Sequence, residues 1–176
     1  MIRSIACMVL VTGLATSVAL AADPPATASA PASTATTTDA FLKQTAVGNQ
    51  FEIDSSKLAL STSNSTDVKA FATQMVTDHG TAGTEFKKAV SDAKLKEPSS
   101  SLDDKHDAIM KDLRAKKGMD FDRAYIDAQK QAHVETVALF EDYAKNGDNP
   151  RMKQFAQTLL PKLREHLEHA RKLNPS

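Results

Sequence analysis

The clearest pattern in the chain is a row of small and apolar residues within residues 65–93. The row recurs at spacings of three and four positions, which is typical of the buried face of a helix packed among other helices. Its members are Val68, Ala72, Met75, His79, Ala82, Phe86, Ala89 and Ala93. Only His79, in the middle of the row, does not suit a dry core. The pattern predicts a buried helix and raises the question of what His79 faces.

The same spacing predicts three further long helices. One covers residues 39–62, with Asp39 as its N-cap, and another covers residues 120–145. The last starts at the turn that contains Gly147 and continues to about residue 173. In that turn Gly147 suits a left-handed C-terminal position, and either Asp148 or Asn149 suits the cap of the helix that follows.

A less regular segment separates the second and third long helices. Residues 97–101, Glu-Pro-Ser-Ser-Ser, break the helical pattern, and residues 102–117 predict a short helix that Gly118 ends. His106 lies in this short helix and outside the apolar rows. We therefore expect its side chain to be solvated.

An internal similarity suggests how the helices are arranged. Residues 68–72, VKAFA, resemble residues 152–156, MKQFA, and each segment lies in the second helix of a helix–turn–helix pair. Residues 94–119 would then form a long crossover between the two pairs. Two antiparallel helical hairpins joined by a long crossover make the ferritin-like four-helix bundle. The predicted fold class is all-α with this arrangement, and the abundance of Ala, Leu, Lys, Gln and Glu supports it.

The N-terminal region predicts export. Arg3 precedes an apolar stretch that ends in Ala19-Leu20-Ala21, the small-x-small form of a signal peptidase site. The predicted organisation is a signal peptide over residues 1–22, a disordered Ala/Pro/Ser/Thr linker over 23–38 and a helical domain over 39–174. Cleavage would remove Cys7, the only cysteine, and place a disulfide-free protein in the periplasm or at the envelope. The alternative is a retained N-terminal anchor.

Composition restricts the range of partners. Basic and acidic residues number 22 each, and neither sign forms a long run, so nothing indicates nucleic acid or an anionic membrane surface. The apolar stretch near the N-terminus is short for a spanning helix, so we expect no transmembrane segment in the mature chain. An unidentified envelope protein or self-association remains as the expected partner.

Several short segments together resemble one known family. They are Ala46-x-Gly48-x-x-x-Glu52, Val68-Lys69-x-Phe71-Ala72-x-x-Met75-Val76-x-Asp78-His79, Phe121-Asp122-x-x-Tyr125, His133 with Leu139-Phe140, and Phe155-Ala156 with Leu159-x-Pro161 and His166-Leu167. They make the chain similar to a ferritin-like domain-of-unknown-function family of exported bacterial proteins, often labelled outer-membrane proteins. The resemblance covers about residues 39–173 and implies a four-helix bundle at the envelope, without an established activity.

Four polar residues on the predicted inward faces form a candidate metal centre. His79, His133 and His166 come from three different helices, and Glu52 comes from the first. Imidazole suits Zn, Cu, Fe or Ni, and a carboxylate would lower the net charge of the site. The sequence does not identify a cofactor; if this set binds one, it is a single transition metal, with Zn, Cu and Fe as candidates. The sequence alone favours the other interpretation, in which the histidines are structural and only hydrogen-bond within the core.

The chain departs from a di-iron enzyme at the carboxylates. Such a centre uses Glu-x-x-His on two helices, but Val76 and Leu163 stand three residues before His79 and His166. No phosphate-binding loop, nucleophile elbow or Cys-x-x-Cys motif is present, and no catalytic residue is predicted. The sequence favours a non-catalytic envelope protein of unknown role, for which stress-related and scaffolding functions stay open. A metal-binding protein is the alternative, and a degenerate ferritin-like redox enzyme comes third.

Overall fold

The computed structural model describes residues 36–175 as an all-helical structure without strands. Its helices are α1 (Thr38–Thr62), α2 (Thr66–Asp92), α3 (Asp104–Ala115), α4 (Gly118–Asn146) and α5 (Pro150–Lys172). None of these helices is both long enough and apolar enough to cross a membrane. The predicted signal peptide, residues 1–22, and most of the predicted linker, residues 23–38, lie outside the described residues.

Short polar side chains start the helices. Ser65 caps α2 by accepting a hydrogen bond from the Val68 amide. Asn149, one of the two predicted candidates, caps α5, which has Pro150 in its first turn. The predicted cap of α1 was wrong by two residues. The Thr37 hydroxyl accepts from the Ala40 amide, and Asp39 lies inside the first turn, where its charge suits the positive end of the helix dipole.

Two glycines have roles other than those predicted. Gly118 begins α4 with a φ of 54°, whereas α3 already ends at Ala115. Gly147 is not left-handed, because its φ is −57° and its ψ is 146°. A Cβ at Gly147 would lie 2.6 Å from both a ring carbon and the carbonyl oxygen of Tyr143. Close approach of the Tyr143 ring therefore explains this glycine.

The four long helices pack pairwise around two apolar clusters. α1 packs on α2, α4 packs on α5, and further contacts join α1 to α4 and α2 to α5, while α3 lies against α1 and α4. The first apolar cluster is Phe41, Leu42, Ala46, Phe86, Val90, Val137, Phe140, Tyr143, Met152, Phe155, Ala156, Leu163 and Leu167. The second apolar cluster is Phe51, Ala59, Val68, Phe71, Ala72, Met75, Met110, Leu113, Phe121, Tyr125, Ile126, Ala170 and Leu173.

Neighbouring helices in this packing run antiparallel. Phe41, near the start of α1, stacks on Tyr143, near the end of α4. Phe71, early in α2, contacts the ring of His169 near the end of α5. Each cluster therefore combines the beginnings of two helices with the ends of two others. Along α1, α2 and α4, the residues between the clusters include buried polar ones, and the candidate site lies there.

Two glycine substitutions test this packing. We expect Gly147→Ala to lower the free energy of unfolding by about 1–3 kcal/mol, because the added methyl group overlaps Tyr143. Gly80→Ala is the matched control. Nothing lies within 4 Å of a Cβ at Gly80 in the middle of α2, so alanine should stabilise the helix by about 0.5–1 kcal/mol. Urea unfolding of both variants measures the difference, and equal stability would contradict the assigned role of Gly147.

Candidate metal centre

The four candidate residues are buried on four different helices. Glu52 lies on α1, His79 on α2, His133 on α4 and His166 on α5. Their exposed fractions are 3%, 5%, 1% and 1%. Charged and strongly polar residues are seldom this buried without a partner, so each of them calls for a physical explanation.

The three histidines converge on one point. One ring nitrogen of each lies within 4.8 Å of those of the other two. The ring centroids are 5.4 Å apart for His79 and His166, 5.5 Å for His133 and His166, and 5.7 Å for His79 and His133. Counting helical turns places His166 about one turn away from the level of His133, but the structure brings both to the same level as His79.

Hydrogen bonds fix the orientation and tautomer of every ring. The Nδ1–H of His79 donates to Asn49 Oδ1 at 3.0 Å, and that of His133 donates to the backbone carbonyl oxygen of Gln129 at 2.9 Å. His166 is reversed, since its Nε2–H donates to Asp78 Oδ2 at 2.8 Å. In a neutral imidazole the other nitrogen then carries the lone pair.

Those remaining nitrogens have no partner. The Nε2 atoms of His79 and His133 and the Nδ1 atom of His166 are buried and accept no hydrogen bond from the described residues. Leaving a buried acceptor unsatisfied costs about 1–3 kcal/mol for each group. Three such lone pairs on three converging rings are the donor set that a metal ion of the imidazole-binding class requires.

Burial keeps two of the rings neutral. The pKa of His79 lies well below its ordinary value because burial disfavours the imidazolium ion, and the neighbouring histidines add to this effect. The pKa of His166 is also lowered by burial, although its hydrogen bond to Asp78 opposes the shift. Neutral rings keep their lone pairs available at pH 7.

Glu52 lies beside the histidines but outside their close group. Its Oε1 atom is 3.6 Å from Nδ1 of His133, the nitrogen that already donates to Gln129, and its Oε2 atom is buried without a partner. Burial raises the pKa of the Glu52 carboxyl above its ordinary value, and His133 partly offsets the rise. Glu52 is also part of the lining of a cavity of about 20 Å³ beside His79 and His133. That volume suits about one water molecule.

The sequence pattern did not predict the oxygen atoms that orient the three histidine rings. Asn49, Asp78 and Gln129 orient His79, His166 and His133 respectively. In metal centres the ring nitrogen opposite the metal commonly donates to such a carbonyl or carboxylate oxygen. Gln129 could have been found, because it precedes His133 by one helical turn. Asn49 and Asp78 act across helix pairs, so only the packed structure identifies them.

The expectation that His106 is solvated was wrong. Only 15% of its side chain is exposed, and its ring lies 4.9 Å from that of Phe51. The cause is α3, which lies against α1 and so brings His106 over the helix that carries Glu52. His169, also outside the inward rows, is exposed and contacts Gln74 through Nδ1 at 3.0 Å.

Comparison with known proteins identifies a family and a related fold. A model of the domain of unknown function DUF4142 matches residues 22–173 of the chain. The crystal structure of a DUF305 protein from Streptomyces coelicolor, described as secreted, is similar with a TM-score of 0.62 at 15% sequence identity. The similarity covers 75% of this chain and 88% of that one, and it concerns the fold alone. No protein of curated function matches the chain significantly.

The lowered histidine pKa values predict an acid-sensitive domain. We expect the free energy of unfolding of the metal-free protein to decrease as the pH falls below 6.5, the ordinary histidine pKa. In that range the unfolded chain binds protons that His79 and His166 resist in the folded state, so acid favours unfolding. His79→Gln should show a smaller decrease. Urea titrations in a chelator, from about pH 8 to about pH 5, measure it.

Protonation of Glu52 should change the free energy of unfolding in the opposite direction from protonation of the histidines. Its raised pKa means that, above 4.5, the unfolded carboxyl ionises more readily than the folded one, so acidification relieves a cost of folding. Glu52→Gln should therefore show a steeper acid loss than the parent protein. If the free energy of unfolding falls with pH equally in the parent protein, His79→Gln and Glu52→Gln, neither residue has the assigned effect on acid stability.

Proposed function

The chain belongs to the DUF4142 family, a domain of unknown function, and we propose that it is an exported helical protein that binds one transition-metal ion. The ligands are His79 Nε2, His133 Nε2 and His166 Nδ1. The observation that carries the proposal is that all three nitrogens are buried without partners on rings that converge. Burial of three unsatisfied acceptors at one place costs stability unless a ligand satisfies them.

The distances and donors fit an imidazole-binding metal. Metal–nitrogen bonds of about 2.0–2.1 Å place the ligand atoms of a tetrahedral site roughly 3.3 Å apart. Because the present separations are 4.8 Å or less, small rotations of the rings close the site. Zn, Cu and Fe are the candidate ions, since each binds neutral imidazole well. The small cavity leaves room for a water molecule as a fourth ligand.

A purely structural role for the histidines accounts for less of the geometry. Hydrogen bonding within the core needs only one nitrogen of each ring, and Asn49, Gln129 and Asp78 already satisfy one. It gives no reason for the other three nitrogens to be buried without partners on rings that converge. The structural hypothesis would favour apolar residues at these positions, because a buried polar group without a partner destabilises the fold.

The proposed architecture is a ferritin-like four-helix bundle made of two helical hairpins. Packing of α1 on α2 and of α4 on α5, with α3 in the connection between the pairs, supports it. The proposal does not extend to di-iron chemistry. Val76 and Leu163 occupy the positions at which a di-iron bundle has its bridging carboxylates. We therefore propose a metal-binding rather than a catalytic protein.

Export to the periplasm, free or attached to the envelope, completes the proposal. The basic residue, apolar stretch and Ala19-Leu20-Ala21 site at the N-terminus support it. The structurally similar DUF305 protein, which is described as secreted, is consistent with it. A disulfide-free domain of this size relies on its apolar clusters, and a bound metal would add to its stability.

The metal proposal predicts saturable binding with a large effect on stability. The mature protein should bind about one equivalent of Zn²⁺ or Cu²⁺ by titration calorimetry. At about 100 times the dissociation constant, the metal should raise the melting temperature by roughly 10 °C. His133→Gln should lose both effects, because the amide removes a ligand nitrogen while keeping a polar side chain.

His169→Gln is the matched control for this experiment. His169 lies on α5, as His166 does, but is exposed and outside the group of converging rings. The control variant should bind metal as the parent protein does. If neither Zn, Cu nor Fe binds and His79→Leu raises the melting temperature, the histidines are core architecture and the metal proposal is wrong.

Export predicts a shortened protein. Expressed with its own N-terminus in a Gram-negative host, the chain should appear in the periplasmic fraction without about its first 22 residues. Intact-mass spectrometry measures the cleavage position. A variant that lacks residues 2–22 should stay in the cytoplasm. A full-length mass in the membrane fraction would instead identify a retained N-terminal anchor.

A further inference from the structure

Glu52 lies between the histidine centre and the protein surface. It lines the cavity of about 20 Å³ beside His79 and His133, and it also lines a cleft of about 400 Å³ between α1, α3 and α4. Gly48 and Thr136 also line both the small cavity and the outer cleft. These three residues are therefore the point at which the outer cleft meets the space around the histidines.

Charged side chains surround the outer part of the cleft, and they largely pair with each other. Lys105 forms an ion pair with Glu135, and His106 Nδ1 contacts Asp103 Oδ1 at 2.6 Å. All four line the cleft. The innermost acidic group is Glu52, whose Oε2 atom is buried and has no hydrogen-bond partner among the described residues. A cation that passes through the cleft reaches Glu52 where the cleft meets the inner cavity.

The small size of Gly48 leaves space at the junction between the cleft and the inner cavity. A Cβ at Gly48 would have Thr136 Oγ1 as its nearest contact, at 4.0 Å, across the junction between α1 and α4. A larger side chain at this position would extend into the junction rather than into packed backbone. Gly48 thus leaves space directly beside Glu52, one helical turn along α1.

We propose that this cleft is the access route of the metal ion and that Glu52 transfers the ion from the cleft to the histidines. The inference rests on the proposed metal centre and adds its route of loading. The ion that uses this route is a divalent cation of the imidazole-binding class. The Glu52 carboxylate replaces part of its water shell during passage. Glu52 then acts during passage, and the resting ion is held by the three ring nitrogens.

A second route, between α1 and α2, is crossed by a hydrogen bond. Asn49 and His79 line both the inner cavity and a groove on that side. There the hydrogen bond from His79 Nδ1 to Asn49 Oδ1 joins the two helices at 3.0 Å. A Cβ at Gly83 would come within 3.0 Å of Asn49 Nδ2, which shows how closely the side chains already fill this side. An ion could pass only by breaking the contact that orients a ligand.

The route is tested by the kinetics of Co²⁺ binding to the metal-free protein. Stopped-flow absorbance gives the association rate, and release to an excess of chelator gives the dissociation rate. Gly48→Leu should slow both rates by about tenfold and leave the dissociation constant within about twofold, because it obstructs passage without touching a ligand. Gly80→Leu, on the α1–α2 groove, is the matched control and should leave both rates unchanged.

Glu52→Gln tests the transfer role. We expect association and dissociation to slow together by about tenfold, with a dissociation constant close to that of the parent protein. A larger dissociation constant with an unchanged association rate would make Glu52 a ligand of the resting ion and overturn the transfer role.

If Gly48→Leu does not fold, Thr136→Leu replaces it in the test, because it obstructs the same junction from α4.

The outcomes separate the two proposals. Tight Co²⁺ binding with equal rates in Gly48→Leu and Gly80→Leu overturns the access route and leaves the metal centre standing. Slowing by Gly80→Leu alone assigns the route to the α1–α2 groove and also overturns the inference. Absence of any Co²⁺ binding by the parent protein overturns the metal centre and the route together.

Discussion

Three buried imidazole lone pairs are the constraint on which the middle of this structure depends. Each ring donates its N–H to an oxygen and leaves its other nitrogen buried without a partner, and the three rings converge. In a dry core this arrangement costs about 1–3 kcal/mol per unsatisfied nitrogen, which is large beside the net stability of a small domain. The apolar clusters at both ends must offset that cost in the metal-free state. A bound ion would remove it, so the proposed function and the stability of the core depend on the same atoms.

The same constraint ties the helices together at one level. Asn49 holds His79 across α1 and α2, Asp78 holds His166 across α2 and α5, and Gln129 holds His133 within α4. The Gln129 amide also donates to Ser55 Oγ at 3.1 Å, which joins α4 to α1. Directional contacts of this kind fix how far one helix is shifted along another, whereas apolar contacts alone tolerate small slips. These hydrogen bonds therefore hold the three histidine rings at one level of the helices.

Sequence periodicity predicted the helices and the inward histidines but not the contacts between helices. Rows at spacings of three and four identify which face of a helix is buried, and His79, His133 and His166 lie on such faces. The relative height of residues on different helices depends on turn geometry and packing, so their meeting could not be derived by counting. His106 shows the same limit, because α3 lies across α1 and buries it against Phe51. Gly147 shows a second limit of the sequence pattern. A glycine is needed there because the Tyr143 ring approaches closely, and not because the backbone is left-handed.

Charge explains why the proposed centre would hold one ion rather than two. The three imidazole rings contribute no negative charge, and the nearby carboxylates are Asp78, behind His166, and Glu52, beside His133. Two carboxylates can balance one divalent cation in a low-dielectric interior, but a second ion would leave two positive charges uncompensated. Di-iron bundles avoid this problem with four carboxylates, and here Val76 and Leu163 replace two of them. A core with nitrogen donors and only two nearby carboxylates therefore suits a single, nitrogen-bound ion.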